Sequence, residues 1–147
     1  MRRTIALLFS AVLAASVLAG MGCGGGGPKS YPPEQVTEKF LQAMMDEDAD
    51  AAYDLLSEES KTAVTDKEQL VMGGSQGIEG YEVGAVTISG ETARVPVTLR
   101  ITGMETGLDF EVFLRDENGS WKVSLPDTQT EMDRAIEELK RRFQPPQ

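Results

Sequence analysis

From Glu34 onward apolar residues recur at helical spacing, with Val36, Phe40, Leu41 and Met44 on one face. Pro32 and Pro33 suit the first turn of such a helix, where a missing N–H has no intrahelical acceptor to lose. The acidic run Asp46 to Asp50 interrupts the pattern, and Asp50 is placed to cap a second short helix carrying Ala52, Tyr53, Leu55 and Leu56. Thr65 with Glu68 three positions later makes a capping box, which predicts a third short turn holding Leu70 and Val71 before Gly73 and Gly74 end it.

The period then changes from helical to alternating. Ala93, Val95, Val97, Leu99 and Ile101 share one face of a strand, and Thr92, Arg94, Thr98 and Arg100 share the other. The next run repeats this, with Leu108, Phe110, Val112 and Leu114 inward and Asp109, Glu111 and Arg115 outward. Asn118-Gly119 predicts a tight hairpin into a strand bearing Trp121, Val123 and Leu125 on one face. An earlier strand over 79–88 alternates less cleanly, with Gly84 as a candidate bulge. Last comes a helix from Asp127 to Phe143, with Met132, Ala135, Ile136, Leu139 and Phe143 in one apolar stripe. Its closing Lys140, Arg141 and Arg142 suit the negative end of the helix dipole. The prediction is an α+β fold, with N-terminal helices packed on a curved antiparallel sheet of about four strands, plus a C-terminal amphipathic helix.

The first 22 residues have a different character. Arg2 and Arg3 precede an apolar or small-residue run from Ile5 to Met21, broken only by Ser10 and Ser16, which is the pattern of an export signal. Cys23, the one cysteine of the chain, stands where that run stops, and Gly24 to Gly27 and Pro28 follow it. This arrangement resembles the lipobox of bacterial lipoproteins. The resemblance implies a diacylglyceryl group on the Cys23 thiol, cleavage just before it and acylation of the new amine. The match departs at Gly20, where the family usually has Leu; Leu18 lies two residues further back. In the alternative reading a general signal peptidase cuts after Ala19 and leaves Cys23 as a free thiol. The expected organisation is a signal over 1–22, a lipidated cysteine and Gly/Pro tether over 23–32, and one domain over 33–147. The expected location is outside the cytoplasm, lipid-anchored to the cell membrane or the outer membrane.

Charge and composition narrow the chemistry. The formal charge is −10 for the whole chain and becomes −12 once Arg2 and Arg3 leave with the signal, so nucleic acid is not an expected partner. With one cysteine there is no intramolecular disulfide and no cysteine-based zinc site. With no histidine the commonest general base is missing, and with it the usual triads. Asp46, Asp48 and Asp50 have the spacing that opens a calcium loop, but Ala51 replaces the required glycine and Ser57 stands where the bidentate Glu belongs. No cofactor or metal is expected. For a carboxylate enzyme the candidates are Asp109, Glu111, Tyr53 and Tyr81, yet Asp109 and Glu111 alternate onto the solvent face.

Helices first and long strands afterwards resemble the nuclear transport factor 2-like superfamily, also called the cystatin-like or cone fold. The resemblance rests on Pro33 through Leu56, with Phe40-Leu41, the acidic turn and Leu55-Leu56-Ser57, and on the closing Asn118-Gly119-Ser120-Trp121-Lys122-Val123. It covers about 33–125, and no family catalytic residue maps onto this chain. Members of the family include enzymes and noncatalytic binding modules, and fold does not choose between them. The expected function is a noncatalytic binding or protein-interaction module. The alternative is a small-molecule enzyme or carrier that uses the cone interior for an apolar ligand. Trp121, Phe110, Phe40 and Tyr53 are the candidate pocket or core residues. Phe113, an apolar residue on the charged face, is the candidate contact for a protein partner or a second copy.

Overall fold

The computed structural model describes residues 30–72 and 76–143. The signal, Cys23, its glycine run and the pair Gly73-Gly74 lie outside the described residues. Four helices come first: α1 (Pro33–Met45), α2 (Ala49–Asp54), α3 (Glu58–Ala63) and α4 (Lys67–Val71). The strands β1 (Ile78–Val83), β2 (Thr87–Ser89), β3 (Thr92–Ile101), β4 (Leu108–Glu117) and β5 (Ser120–Val123) follow, and α5 (Leu125–Phe143) closes the chain. Among the described residues no helix is long and apolar enough to cross a membrane.

The sheet is antiparallel in the order β1-β3-β4-β5, with β2 also paired to β3. The β3–β4 ladder sets Ala93 opposite Leu114, Val95 opposite Val112, Val97 opposite Phe110 and Leu99 opposite Leu108. All eight side chains are buried, because alternation puts every second residue of both strands on the same face. Val36, Phe40 and Leu41 of α1 and Ala52 and Leu56 of the following segment complete this core.

Local chemistry moves several of the expected boundaries. The strand expected over 79–88 is two strands, β1 and β2, which lie along the same side of β3. They separate opposite Pro96, which has no N–H to give a neighbour; its carbonyl accepts from Gly84 N at 2.8 Å. The register shift falls between Ile78 and Gly80 instead of at Gly84. Asp48, not Asp50, caps α2, accepting from Ala51 N at 3.0 Å, while Asp50 pairs with Lys67 at 2.8 Å. Asp66, not Thr65, caps α4 through Glu68 N. Helix α3 is additional to the sequence-based expectation and is capped by Ser57. The strand expected to carry Trp121, Val123 and Leu125 stops at Val123, and Leu125 already belongs to α5.

A small polar knot ties the helical half to the sheet. Leu56 bridges to Val123 in parallel, with Ser57 N donating to the Val123 carbonyl and Val123 N to the Leu55 carbonyl, each at 2.9 Å. Beside this bridge the buried Ser60 hydroxyl shares a hydrogen bond with Ser57 Oγ, donates to the Val123 carbonyl and accepts from Leu125 N. Beyond β5, helix α5 takes over the free side of β4: Ser124 N donates to the Phe113 carbonyl and Phe113 N donates to Thr128 Oγ1. Backbone groups that a longer β5 would have met are thus satisfied by the start of α5.

Candidate functional site

Between α1, the inner face of the sheet and α5 lies a pocket of about 260 Å³. Helix α1 supplies Phe40 with Met44 and Leu41 with Met45, two pairs spaced by four residues and therefore stacked along one side of the helix. Met72, just past the end of α4, adds a third methionine at the rim, and it is largely solvent-exposed. The sheet contributes Ile78 and Tyr81 from β1, Leu99 from β3, and Phe110 and Val112 from β4. Tyr81 and Leu99 are direct cross-strand partners, so β1 and β3 present them side by side. Helix α5 closes the wall with Thr128 and Met132, again four residues apart.

Among the described residues the wall holds no Asp, Glu, Lys or Arg. Its hydroxyls are Tyr81 and Thr128, and both are in use. The Tyr81 hydroxyl donates to the Glu38 carbonyl at 3.2 Å, and Thr128 Oγ1 accepts from Phe113 N at 3.0 Å. Burial, then the nearby carboxylates of Glu38 and Asp46, hold the Tyr81 phenol above its ordinary range, so it stays protonated. What the pocket offers a guest is therefore apolar surface, three aromatic rings and four thioethers.

Phe40 and Phe110, expected in pocket or core, serve as both. Tyr53 and Trp121 are half-buried against the core elsewhere. The Tyr53 ring has Lys67 Nζ at 4.7 Å and Lys61 Nζ at 5.8 Å from its centroid, and Trp121 lies opposite Asp116 at the outer end of the sheet. Asp109 and Glu111 lie on the outer face, where Asp109 accepts from Thr98 Oγ1 at 2.6 Å and Glu111 sits 3.7 Å from Arg94. Phe113 is half-buried on that same face, across from Arg94. Asp46, Asp48 and Asp50 point to three different partners, Gln42, Ala51 N and Lys67. Among the described residues no group of three or more His, Cys, Asp or Glu side chains is placed to hold a metal ion. Of the methionines of the wall, sequence patterning placed only Met44 and Met132 on apolar helix faces and marked none as a pocket residue. Seven occur in the chain, five of them after Cys23, and Met44, Met45, Met72 and Met132 converge here.

No protein-family profile matches the chain, and no curated protein matches it. Solved structures do. A protein from Campylobacter jejuni, named as an NTF2-like transpeptidase, superposes with a TM-score of 0.51 at 22% identity, over 63% of this chain and 97% of that one. A SEC-C motif containing protein from Rhodopseudomonas palustris superposes with a TM-score of 0.50 at 16% identity, over 63% of this chain and 74% of that one. The described residues have the nuclear transport factor 2-like fold, with helices packed on a curled antiparallel sheet and a C-terminal helix added.

Proposed function

We propose that this chain is a noncatalytic binding module, held at an extracytoplasmic membrane surface by a lipid on Cys23, whose cone pocket takes an apolar ligand. The observation that supports the reading is the pocket wall: mostly apolar, free of charged side chains among the described residues, and with the Tyr81 and Thr128 hydroxyls already hydrogen-bonded. Proton transfer needs a titratable group within reach of the substrate, and the wall supplies none poised for it. Ligand sites are mostly apolar concavities of about 300–1,000 Å³, so a cavity of this size suits a small guest. The apolar run before Cys23 and the glycines after it support the anchor and the tether.

The test is titration of a neutral, environment-sensitive apolar dye into the mature chain, residues 23–147, prepared as Cys23→Ser so that no lipid or detergent competes. Saturable binding is expected, with Met132→Arg weakening it at least about tenfold, as a charge placed in an apolar wall must. Met132→Leu, which keeps volume and polarity, retains it. Nonsaturable binding, or equal affinity in Met132→Arg and Met132→Leu, refutes the assignment.

A further inference from the structure

We propose that the ligand of this pocket is aromatic: a neutral, planar ring system, preferred over a saturated guest of the same size. This rests on the reading of the pocket as the binding site and adds the chemical class of its ligand. Seven of the twelve wall residues are methionine or aromatic, so most of what a guest touches is polarizable sulfur or ring surface instead of branched alkyl. The methionines stand on three separate stretches of chain: Met44 and Met45 on α1, Met72 just past α4, and Met132 on α5. A guest enclosed by these walls meets methionine from more than one side.

These methionines do not fill a closed core. Met44, Met45 and Met132 are half-buried and Met72 is largely exposed, around a cavity of about 260 Å³. Phe40 and Phe110, by contrast, are buried and held by the core. The wall thus joins fixed rings to unbranched side chains that adapt their shape to a guest. A thioether gains from contact with an aromatic ring, often at the ring edge, and gains nothing comparable from a saturated ring. Phe40, Tyr81 and Phe110 add offset or edge-to-face contacts that only another ring can return. Burial of apolar area favours both kinds of guest alike, so the sulfur and ring contacts decide between them. Size agrees: an apolar cavity of about 150 Å³ takes benzene, so this one has room for a ring with a short substituent or for a second fused ring. Polar substituents belong at the mouth, because the Tyr81 hydroxyl is committed to the Glu38 carbonyl and Thr128 Oγ1 to Phe113 N.

The experiment compares two probes of one skeleton, 3-phenyl-1-propanol and 3-cyclohexyl-1-propanol, each displacing the neutral dye from residues 23–147 with Cys23→Ser. Each affinity is divided by that probe's own cyclohexane–water partition coefficient, which removes the difference in their hydration. The phenyl probe should then lead about threefold to tenfold, the size of one or two thioether–ring contacts. In Met44→Leu/Met45→Leu/Met132→Leu, which keeps volume but removes three sulfurs, the lead should fall toward parity, with the melting temperature as the check that the fold is kept. The parent protein gives a second readout that needs no variant: ring currents should shift the wall methionine methyls with the phenyl probe and not with the cyclohexyl one. Equal corrected affinities, a lead that survives intact in the folded triple variant, or methyl shifts that are the same for both probes overturn the inference, while dye binding still upholds the pocket. Failure of the dye and of both probes to bind overturns both readings.

Discussion

At Gly107 the chain turns into β4 so close to β3 that a Cβ there would lie 2.5 Å from the Leu99 carbonyl oxygen and 2.7 Å from Thr98 Cγ2. No side chain fits without moving backbone. Gly107→Ala is expected to lower stability by about 1–3 kcal/mol in urea unfolding, and to weaken dye binding because Leu99 is a wall residue. An unchanged midpoint would mean that this end of the ladder is looser than described. A second residue-scale test concerns Asp127, whose carboxylate accepts from the Ser124 hydroxyl at 2.7 Å and lies 3.2 Å from Arg115. The serine bond first and the arginine second hold its pKa below the ordinary value. A depressed folded-state pKa contributes stability that is present above the unfolded-chain value, near 3.9, and is lost as pH falls through the folded one. Asp127→Asn should therefore cost about 0.5 kcal/mol at neutral pH, a half-exposed pair being worth little, and remove that share of the acid loss. A variant as stable as the parent at neutral pH and equally acid-sensitive would contradict this.

The element that most shapes the site is α5, a 19-residue helix about 28 Å long. It serves β4 in place of a longer strand through Thr128 and Ser124, and it walls the pocket with Thr128 and Met132. Removing residues 127–147 should lower the melting temperature by roughly 10 °C or more, since Met132, Ile136 and Leu139 lose their packing against the core. A calorimetric scan identical to that of the full chain would refute the structural role given to α5. The stripe of this helix was legible in the sequence from Met132 to Leu139, although Phe143 at its end is exposed, and the paired faces of β3 and β4 were legible because buried positions alternate from Ala93 to Leu99 and from Leu108 to Leu114. The short helices were less so. Ser57 is the start of a helix that patterning did not mark, and it lies beside the bridge of Leu56 to Val123, a contact 67 residues away in the chain. The division of β1 from β2 turns on Pro96 in the neighbouring strand, which local patterning of 79–88 does not contain. The pocket was the least legible feature. Its methionines and its tyrosine come from elements that meet only in the folded chain, and each alone has the sequence signature of ordinary core.

For the whole molecule, address and binding are proposed as separable properties: the N-terminal segment for attachment, the cone for recognition. Intact mass of the protein extracted from its native membranes should match residues 23–147 plus acyl chains, and Cys23→Ala should lose both the added mass and the attachment. Cleavage upstream with an unmodified cysteine would make the chain an unlipidated exported protein, without touching the account of the pocket. That account is tested most directly by the methionine methyl spectrum of the mature chain during titration with a neutral apolar probe. Met44, Met45, Met72 and Met132 line the pocket, whereas Met104 sits in the turn between β3 and β4 and serves as an internal control. The account predicts saturable shifts of the four wall methyls on one common binding curve, with Met104 still. Shifts led by Met104, or no saturable shift at any of the four, would contradict it.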